Sequence, residues 1–362
     1  LVLDGGRERP DPRSRFQPHG PHGPSRLVDP GPPPAPFAPP ALRDLIFYEL
    51  HCGTFTPEGT FDAAIGKLDH LVRLGVTAVE VMPVAAFPGT RGWGYDGVDL
   101  YAVHAAYGGP AAFRRFVDAC HAAGLAVLLD VVYNHLGPDG NYLADFGPYF
   151  TDRYTTPWGG AVNLDGPGSD FVRGFVLDNA EMWVAEVGVD GLRLDAVHAM
   201  HDDSSVHVLE ELAGRVHAAR RGAVVVAESE LNQPALVTAY GLDAMWADDF
   251  HHAIHVALTG EATGHLDGFQ GLDKLAKALH AGWVFTGQYY PGFDRRHGRE
   301  PAGLGGERFV VCTQNHDQVG NRALGERLAI LVGPELDAVA GVLLACAPYL
   351  PLLFQGQEWG ET

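Results

Sequence analysis

From residue 44 onward the chain repeats one pattern: a short apolar run, a polar turn, then apolar residues at helical spacing. The runs are DLIFYEL (44–50), VTAVEVMPV (76–84), LAVLLDVVYNH (125–135), DGLRLDAV (190–197), AVVVAES (223–229), AMWADDF (244–250), RFVVCTQNHD (308–317) and YLPLLFQGQ (349–357). Short apolar runs of this kind, alternating with helices, read as parallel strands covered on both faces. Between them, FDAAIGKLDHLVRLG predicts one helix that ends at Gly75. PAAFRRFVDACHAAG predicts another, opened by Pro110 and closed by Gly124. Eight strand–helix units in roughly 320 residues predict an α/β fold, a (β/α)8 barrel. A doubly wound open sheet is the weaker alternative, because no G-x-G-x-x-G follows the first strand. Within DGLRLDAV, Leu192 and Leu194 alternate with Arg193 and Asp195. A half-buried strand would turn both charges onto one face.

Residues 1–42 depart from this pattern. They are rich in Pro, Gly and Arg and carry no apolar period. They read as a linker from an N-terminal domain outside this chain, with the catalytic barrel over residues 43–362. The last run is followed only by a short polar tail, so a closing helix is expected to be absent. Flanking N- and C-terminal β-domains are expected to be missing or truncated. Leu350, Leu352 and Phe354 of the last strand are then expected to expose apolar surface and to lower thermal stability.

Composition narrows the partners. The formal net charge of −20 gives no electrostatic help toward a phosphate backbone, so nucleic acid is not an expected partner. No run of 18 apolar residues is present, so no membrane span is expected. The four cysteines form no C-x-x-C pair, which suggests free thiols. With no signal-peptide core at the start, a cytoplasmic protein is expected. The sequence gives no oligomeric state.

Ionisable residues gather where the predicted strands end, which is where a barrel keeps its chemistry. The first strand carries Tyr48 and Glu49, with His51 behind. The third ends in Asp130, Asn134 and His135, and the fourth in Arg193 and Asp195. The fifth ends in Glu228, and the seventh in Asn315, His316 and Asp317. A single Asp after a strand is commonly a helix cap. Caps have no need of Arg or His. Paired carboxylates suit glycoside hydrolysis, one attacking the anomeric carbon and the other protonating the leaving oxygen. A separation of about 5 Å gives retention and about 6.5–9.5 Å inversion. Arg193, on the same strand face as Asp195, would keep that carboxylate ionised. The alternative is a structural ion pair in the barrel mouth.

DVVYNH (130–135), GLRLDAVH (191–198), AES around Glu228 and NHDQ (315–318) resemble, in order, the four motif regions of the α-amylase family of glycoside hydrolases. The resemblance covers roughly residues 44–359. It implies Asp195 as nucleophile, Glu228 as general acid/base and Asp317 as transition-state stabiliser. It also implies that Asp130, His135, Arg193 and His316 line the central sugar subsite, with Tyr95 of GWGYDGVDLYAV as an aromatic platform beneath it.

Longer stretches resemble one branch of that family, the maltooligosyltrehalose trehalohydrolases, which release trehalose from the chain end. They are NHLGPDGNYLADFGPYF, WADDFHHAIHVALTGE, QNHDQVGNRALGERL and PLLFQGQEW, with His198 in DAVHAM. This branch implies a maltooligosyltrehalose or other α-1,4-glucan substrate. It makes Asp248, Asp249, His251 and His252 candidates for holding the trehalose end, and His198, Gln318 and Asn321 further substrate contacts. Metal binding is the rival reading for His251, His252 and His255, though no third ligand is obvious. A solvent-facing helix is the plainer one. Gln357 stands where the family more often has Glu. No cofactor is expected, and no acidic loop for calcium is recognised. A 1,4-α-glucan branching enzyme, which shares the three carboxylates, remains the alternative. A non-catalytic glucan-binding scaffold and an inactive fragment also remain open.

Overall fold

The computed structural model describes residues 1–301 and 303–362. Eight parallel strands close into a barrel: β1 (Phe47–Leu50), β2 (Ala78–Val81), β3 (Ala126–Val131), β4 (Gly191–Leu194), β5 (Val224–Ala227), β6 (Ala244–Trp246), β7 (Phe309–Cys312) and β8 (Leu350–Phe354). Neighbours follow the order β1-β8-β7-β6-β5-β4-β3-β2. Each strand lies inside one of the apolar runs. Seven are buried at every residue, because a parallel strand covered on both faces has no solvent side. That corrects the half-buried reading of residues 190–197: Arg193 is as deeply buried as Leu192 and Leu194.

The chain divides into two compact units, Leu1–Pro40 with Leu50–Val225, and Ala41–Glu49 with Val226–Thr362. In the first unit, the stretch expected as one helix over residues 61–75 is two, α1 (Phe61–Ile65) and α2 (Leu68–Leu74). Thr60 Oγ1 accepts from Ala63 N at 3.3 Å and caps α1. The α1 helix then ends at Gly66. Gly75 ends α2 as expected, at φ 92°, a left-handed conformation that favours glycine. Helix α3 (Gly109–Ala122) has Pro110 in its first turn and buries Phe113, Phe116 and Val117. Helices α4 (Ser169–Met182) and α5 (Val208–Ala219) pack against each other. An antiparallel hairpin, Phe150–Thr156 with Gly159–Val162, lies in the connection between β3 and α4.

Residues 1–40 form no helix or strand, only one isolated bridge between Val2 and Glu8. They nevertheless pack as an irregular strap on the first unit. Arg9 pairs with Asp145 at 2.6 Å, and Arg13 with Asp178 at 2.9 Å. Phe37 stacks on His121 at 4.1 Å between ring centroids, and Ser14 and Gln17 are buried. Proline removes the donors a ladder needs, so side chains tie this segment down instead.

In the second unit, α6 (Asp248–Thr259) and α7 (Leu272–Ala281) enclose a cluster that includes Ala253, Phe269, Phe285 and Tyr290. Helix α8 (Pro334–Cys346) lies between β7 and β8 in the chain. The expected exposure of Leu350, Leu352 and Phe354 is corrected here: all three are at most 3% exposed. The strand alternates, and these positions take its buried face. Apolar surface instead shows on α8, at Leu336, Val339 and Val342. Among the described residues no helix is long and apolar enough to cross a membrane. All four cysteines are free thiols.

Candidate active site

In the first unit the ends of β3 and β4 build one buried network. Arg193 Nη1 donates to Asp130 at 2.8 and 3.0 Å and to Asp195 Oδ1 at 3.0 Å. Adjacent parallel strands make this possible, since Asp130 and Arg193 are register partners. Asp195 follows the last residue of β4, and its other oxygen accepts from Asn134 Nδ2 at 2.6 Å. The same amide also bonds the Asp195 carbonyl at 2.8 Å. Arg193 is therefore shared between two carboxylates rather than reserved for Asp195. Ion pairs this deep hold only when nearly every donor and acceptor finds a partner.

Tyr95 and His135 join the same network. Tyr95 Oη donates to Asp130 Oδ2 at 2.6 Å, so the ring is fixed by its polar end. His135 Nε2 meets the Tyr95 carbonyl at 3.0 Å, and Nδ1 contacts Asn134 Oδ1. Burial holds the His135 imidazole below its ordinary range, against the opposing pull of Asp195. Its outer face is covered by the Trp158 indole at 4.3 Å and 4°. Just past Asp195, Ala196 adopts a left-handed φ of 39°. A non-glycine residue there stores strain, a feature that clusters at functional sites. His198 lies half-buried in the turn that follows.

The second unit holds the remaining candidates. Glu228 comes directly after β5 and is half-buried. Asn315 caps a one-turn helix, His316–Gly320, accepting from Gln318 N at 2.9 Å. This places His316 in the interior and Asp317 at the surface. The buried Glu49 carboxylate accepts from His316 N at 2.9 Å and contacts its Nδ1, which fixes the ring. Asn321 donates to Asp317 Oδ1 at 2.8 Å and to its carbonyl at 3.1 Å. Gln318 is half-buried. Gln357 donates to Thr313 Oγ1 at 2.7 Å and accepts from Phe354 N at 3.2 Å, so it joins the turn after β8 to the end of β7.

Helix α6 requires corrections. Asp249, expected to hold sugar hydroxyls, is buried, and its Oδ2 accepts from Asn232, Val284 N and Phe285 N at 3.0, 2.6 and 2.9 Å. It organises a neighbouring loop from within the protein. Burial raises its carboxyl to about 6, against those three hydrogen bonds. His251 and His252 are buried too, not solvent-facing, with their Nδ1 atoms 3.1 Å apart. Burial pushes His251 well below the usual imidazole range and His252 down to about 3. His255 Nε2 meets Glu261 at 2.8 Å, and Arg322 grips the same carboxylate. Among the described residues no three His, Cys, Asp or Glu side chains converge as metal ligands. Asp248, by contrast, is half-buried in the first turn of α6.

Two residues given no role from the sequence emerge as organisers. Asn134 ends the third predicted strand beside His135 in DVVYNH, where the sequence offers no partner for it. Glu49 was placed near the strand ends without a partner. Each acts by hydrogen-bonding a residue far along the chain, which no local pattern displays.

The family model described as "Alpha amylase, catalytic domain" matches residues 34–154. A malto-oligosyltrehalose trehalohydrolase of Saccharolobus solfataricus is 49% identical over 99% of this chain, and the chain spans 65% of that relative's length. A 1,4-alpha-glucan branching enzyme of Burkholderia thailandensis is 30% identical over 89% of this chain and 40% of its own. The crystal structure of a putative alpha amylase from Salmonella typhimurium is 42% identical, with a TM-score of 0.95. It matches 100% of this chain, which covers 64% of it.

Proposed function

The chain belongs to the α-amylase family of glycoside hydrolases, and from that premise we propose that it is the catalytic barrel of a retaining enzyme. It cleaves the α-1,4 bond next to the terminal trehalose of a maltooligosyltrehalose and releases trehalose. The observation that carries the chemistry is Asp195: a carboxylate at the end of a buried strand, with one oxygen on Arg193 and the other on Asn134. The trehalose end of the substrate is carried by the much closer similarity to trehalohydrolases than to a branching enzyme.

In this reading three strand ends of one parallel barrel serve a single bond. Glu228 protonates the glycosidic oxygen while Asp195 attacks the anomeric carbon. The bond to the leaving trehalose breaks as the bond to Asp195 forms, giving a β-glycosyl-enzyme. Glu228 then takes a proton from water. The water oxygen displaces Asp195, so the shortened glucan leaves with its configuration retained. Asp317 stabilises the oxocarbenium-like charge. Asp130, His135, Arg193 and His316 hold the attacked sugar over Tyr95, and Asp248, His198, Gln318 and Asn321 meet the outer sugars. Asp249 orders the loop behind Asp248 from within, and His251 and His252, no more buried than Arg193, stay candidates for the trehalose end. A reducing compartment such as the cytoplasm suits four free thiols.

Maltotriosyltrehalose is the substrate to test. Chromatography should show trehalose and maltotriose in equal amounts. Transfer to a glucan 6-hydroxyl, with altered iodine staining of amylose and no trehalose, would replace this reading with branching.

A further inference from the structure

We propose that Glu49 is a positioning residue for the reaction: it holds the His316 proton on Nδ1, so that Nε2 meets the attacked sugar as a hydrogen-bond acceptor. The inference rests on the reading given above, in which His316 holds that sugar.

Glu49 lies on β1, 1% exposed, and the barrel sets its backbone. It is the register partner of Phe354 on β8, and its carbonyl accepts from Gln355 N at 3.0 Å. Its carboxylate reaches the turn after β7. One oxygen accepts from His316 N at 2.9 Å and the other contacts His316 Nδ1. His316 N is the first N–H of a one-turn helix, a donor with no acceptor inside that helix. Both oxygens therefore serve one residue, and they fix its backbone and its ring together.

The charge around Glu49 decides the proton. Burial pulls the Arg327 guanidinium below its ordinary range, while Glu361, Tyr48, Glu49 and Glu358 pull it back up. Glu49 thus feels a cation besides the imidazole, which favours its ionised form. An ionised carboxylate only accepts, so Nδ1 is the donor and carries the proton. In a neutral imidazole the other nitrogen is then an acceptor. The neutral form suits the reaction, because positive charge develops on the attacked sugar and an imidazolium beside it would oppose that charge. A carboxylate that holds an imidazole in one tautomer is a known device for keeping Nε2 as the working atom.

A buried Glu–His pair can also serve only to tie two strands together. Glutamine at position 49 separates the two roles. The His316 backbone N–H can only donate, so the amide oxygen has to face it. The amide NH2 then faces Nδ1, which must become the acceptor, and the proton moves to Nε2. A side chain of nearly equal shape thereby reverses the tautomer.

Two measurements test this on the 362-residue chain: NMR of 15N-labelled histidine near neutral pH, and kinetics on maltotriosyltrehalose. The His316 signals are identified by their loss in His316→Asn. The parent should carry the His316 proton on Nδ1, and Glu49→Gln should carry it on Nε2 with a thermal melt close to the parent's. In Glu49→Gln, kcat should fall roughly fifty-fold with KM little changed, and in a His316→Asn background the same change should cost less than about two-fold. A proton on Nε2 in the parent would overturn the proposal, and that spectrum needs no variant at Glu49. So would a parental kcat in folded Glu49→Gln, or an equal loss in both backgrounds, which would leave Glu49 a strand tie. If the parent releases no trehalose, the substrate reading falls by itself. The spectra then still decide the tautomer, and maltopentaose decides the rest: a shifted His316 Nε2 signal supports the proposal and an unmoved one refutes it.

Discussion

Asp195 and Asp317, two carboxylates offered for one reaction, sit in opposite surroundings. Asp195 is 8% exposed, with one oxygen on a guanidinium and the other on an amide. Asp317 is exposed and held by Asn321. The first is oriented before any substrate arrives. A group fixed among buried donors needs no reorganisation as charge develops. The second is bathed in water, which screens it until a bound sugar displaces that water. The contrast assigns orientation of the proposed nucleophile to the first unit, and leaves Asp317, in the proposed reading, to gain its strength from the substrate.

The sharpest way to break this comparison is Asp195→Ala. Turnover should fall by roughly four orders of magnitude or more, as when a covalent nucleophile is removed. The fold should survive, because Arg193 keeps Asp130 and the Asn134 amide keeps the residue 195 carbonyl. Trehalose release and a thermal melt check both halves. Substantial residual activity would remove Asp195 from its role.

Arg193→Met tests the buried network itself. It leaves Asp130 and Asp195 without their shared cation at the end of a fully buried strand. A loss of about 3–5 kcal/mol is expected on urea unfolding, alongside loss of activity. Removing Asn321, which touches Asp317 at the surface, should cost far less. If the two losses were similar, the contrast between a prebuilt pocket and a solvated carboxylate would fail.

A further test concerns pH and the second unit. His252 stays neutral in the folded chain down to about 3, because burial lowers its pKa. An unfolded histidine takes up a proton near pH 6.5. Unfolding therefore binds a proton between about pH 6.5 and 3, and His252 makes stability fall as pH drops through that window, by about 1.4 kcal/mol per pH unit at most. Asp249 acts in the opposite sense. Its carboxyl is raised to about 6, so between about pH 4 and 6 this group alone makes stability fall as pH rises. His252→Gln should flatten the acid limb in urea unfolding between pH 4 and 6.5. An unaltered slope would mean that His252 is already charged when folded.

Much of the fold could be read along the chain. Every barrel strand lies inside a predicted apolar run, because a strand covered on both faces has to be apolar for most of its length. Gly75 and Pro110 marked helix ends through backbone geometry that acts within a few residues. The break at Gly66 was missed, since the apolar spacing runs straight through it. The Pro-rich start had no period to read, yet its arginines and Phe37 pack on partners more than 80 residues away.

The sequence by itself determined the barrel and the candidate carboxylates, since both follow from local spacing and from the residue types the chemistry demands. Tertiary structure alone decided how those residues are used. It showed that Arg193 serves two carboxylates, that Asn134 and Glu49 are organisers, and that Asp249, His251 and His252 are buried. It also showed that Trp158 lies on His135. These outcomes depend on hydrogen bonds and ring contacts between segments up to 267 residues apart, as in Glu49 with His316. Burial and partner choice are set where such segments meet, and neither composition nor period along the chain carries that information.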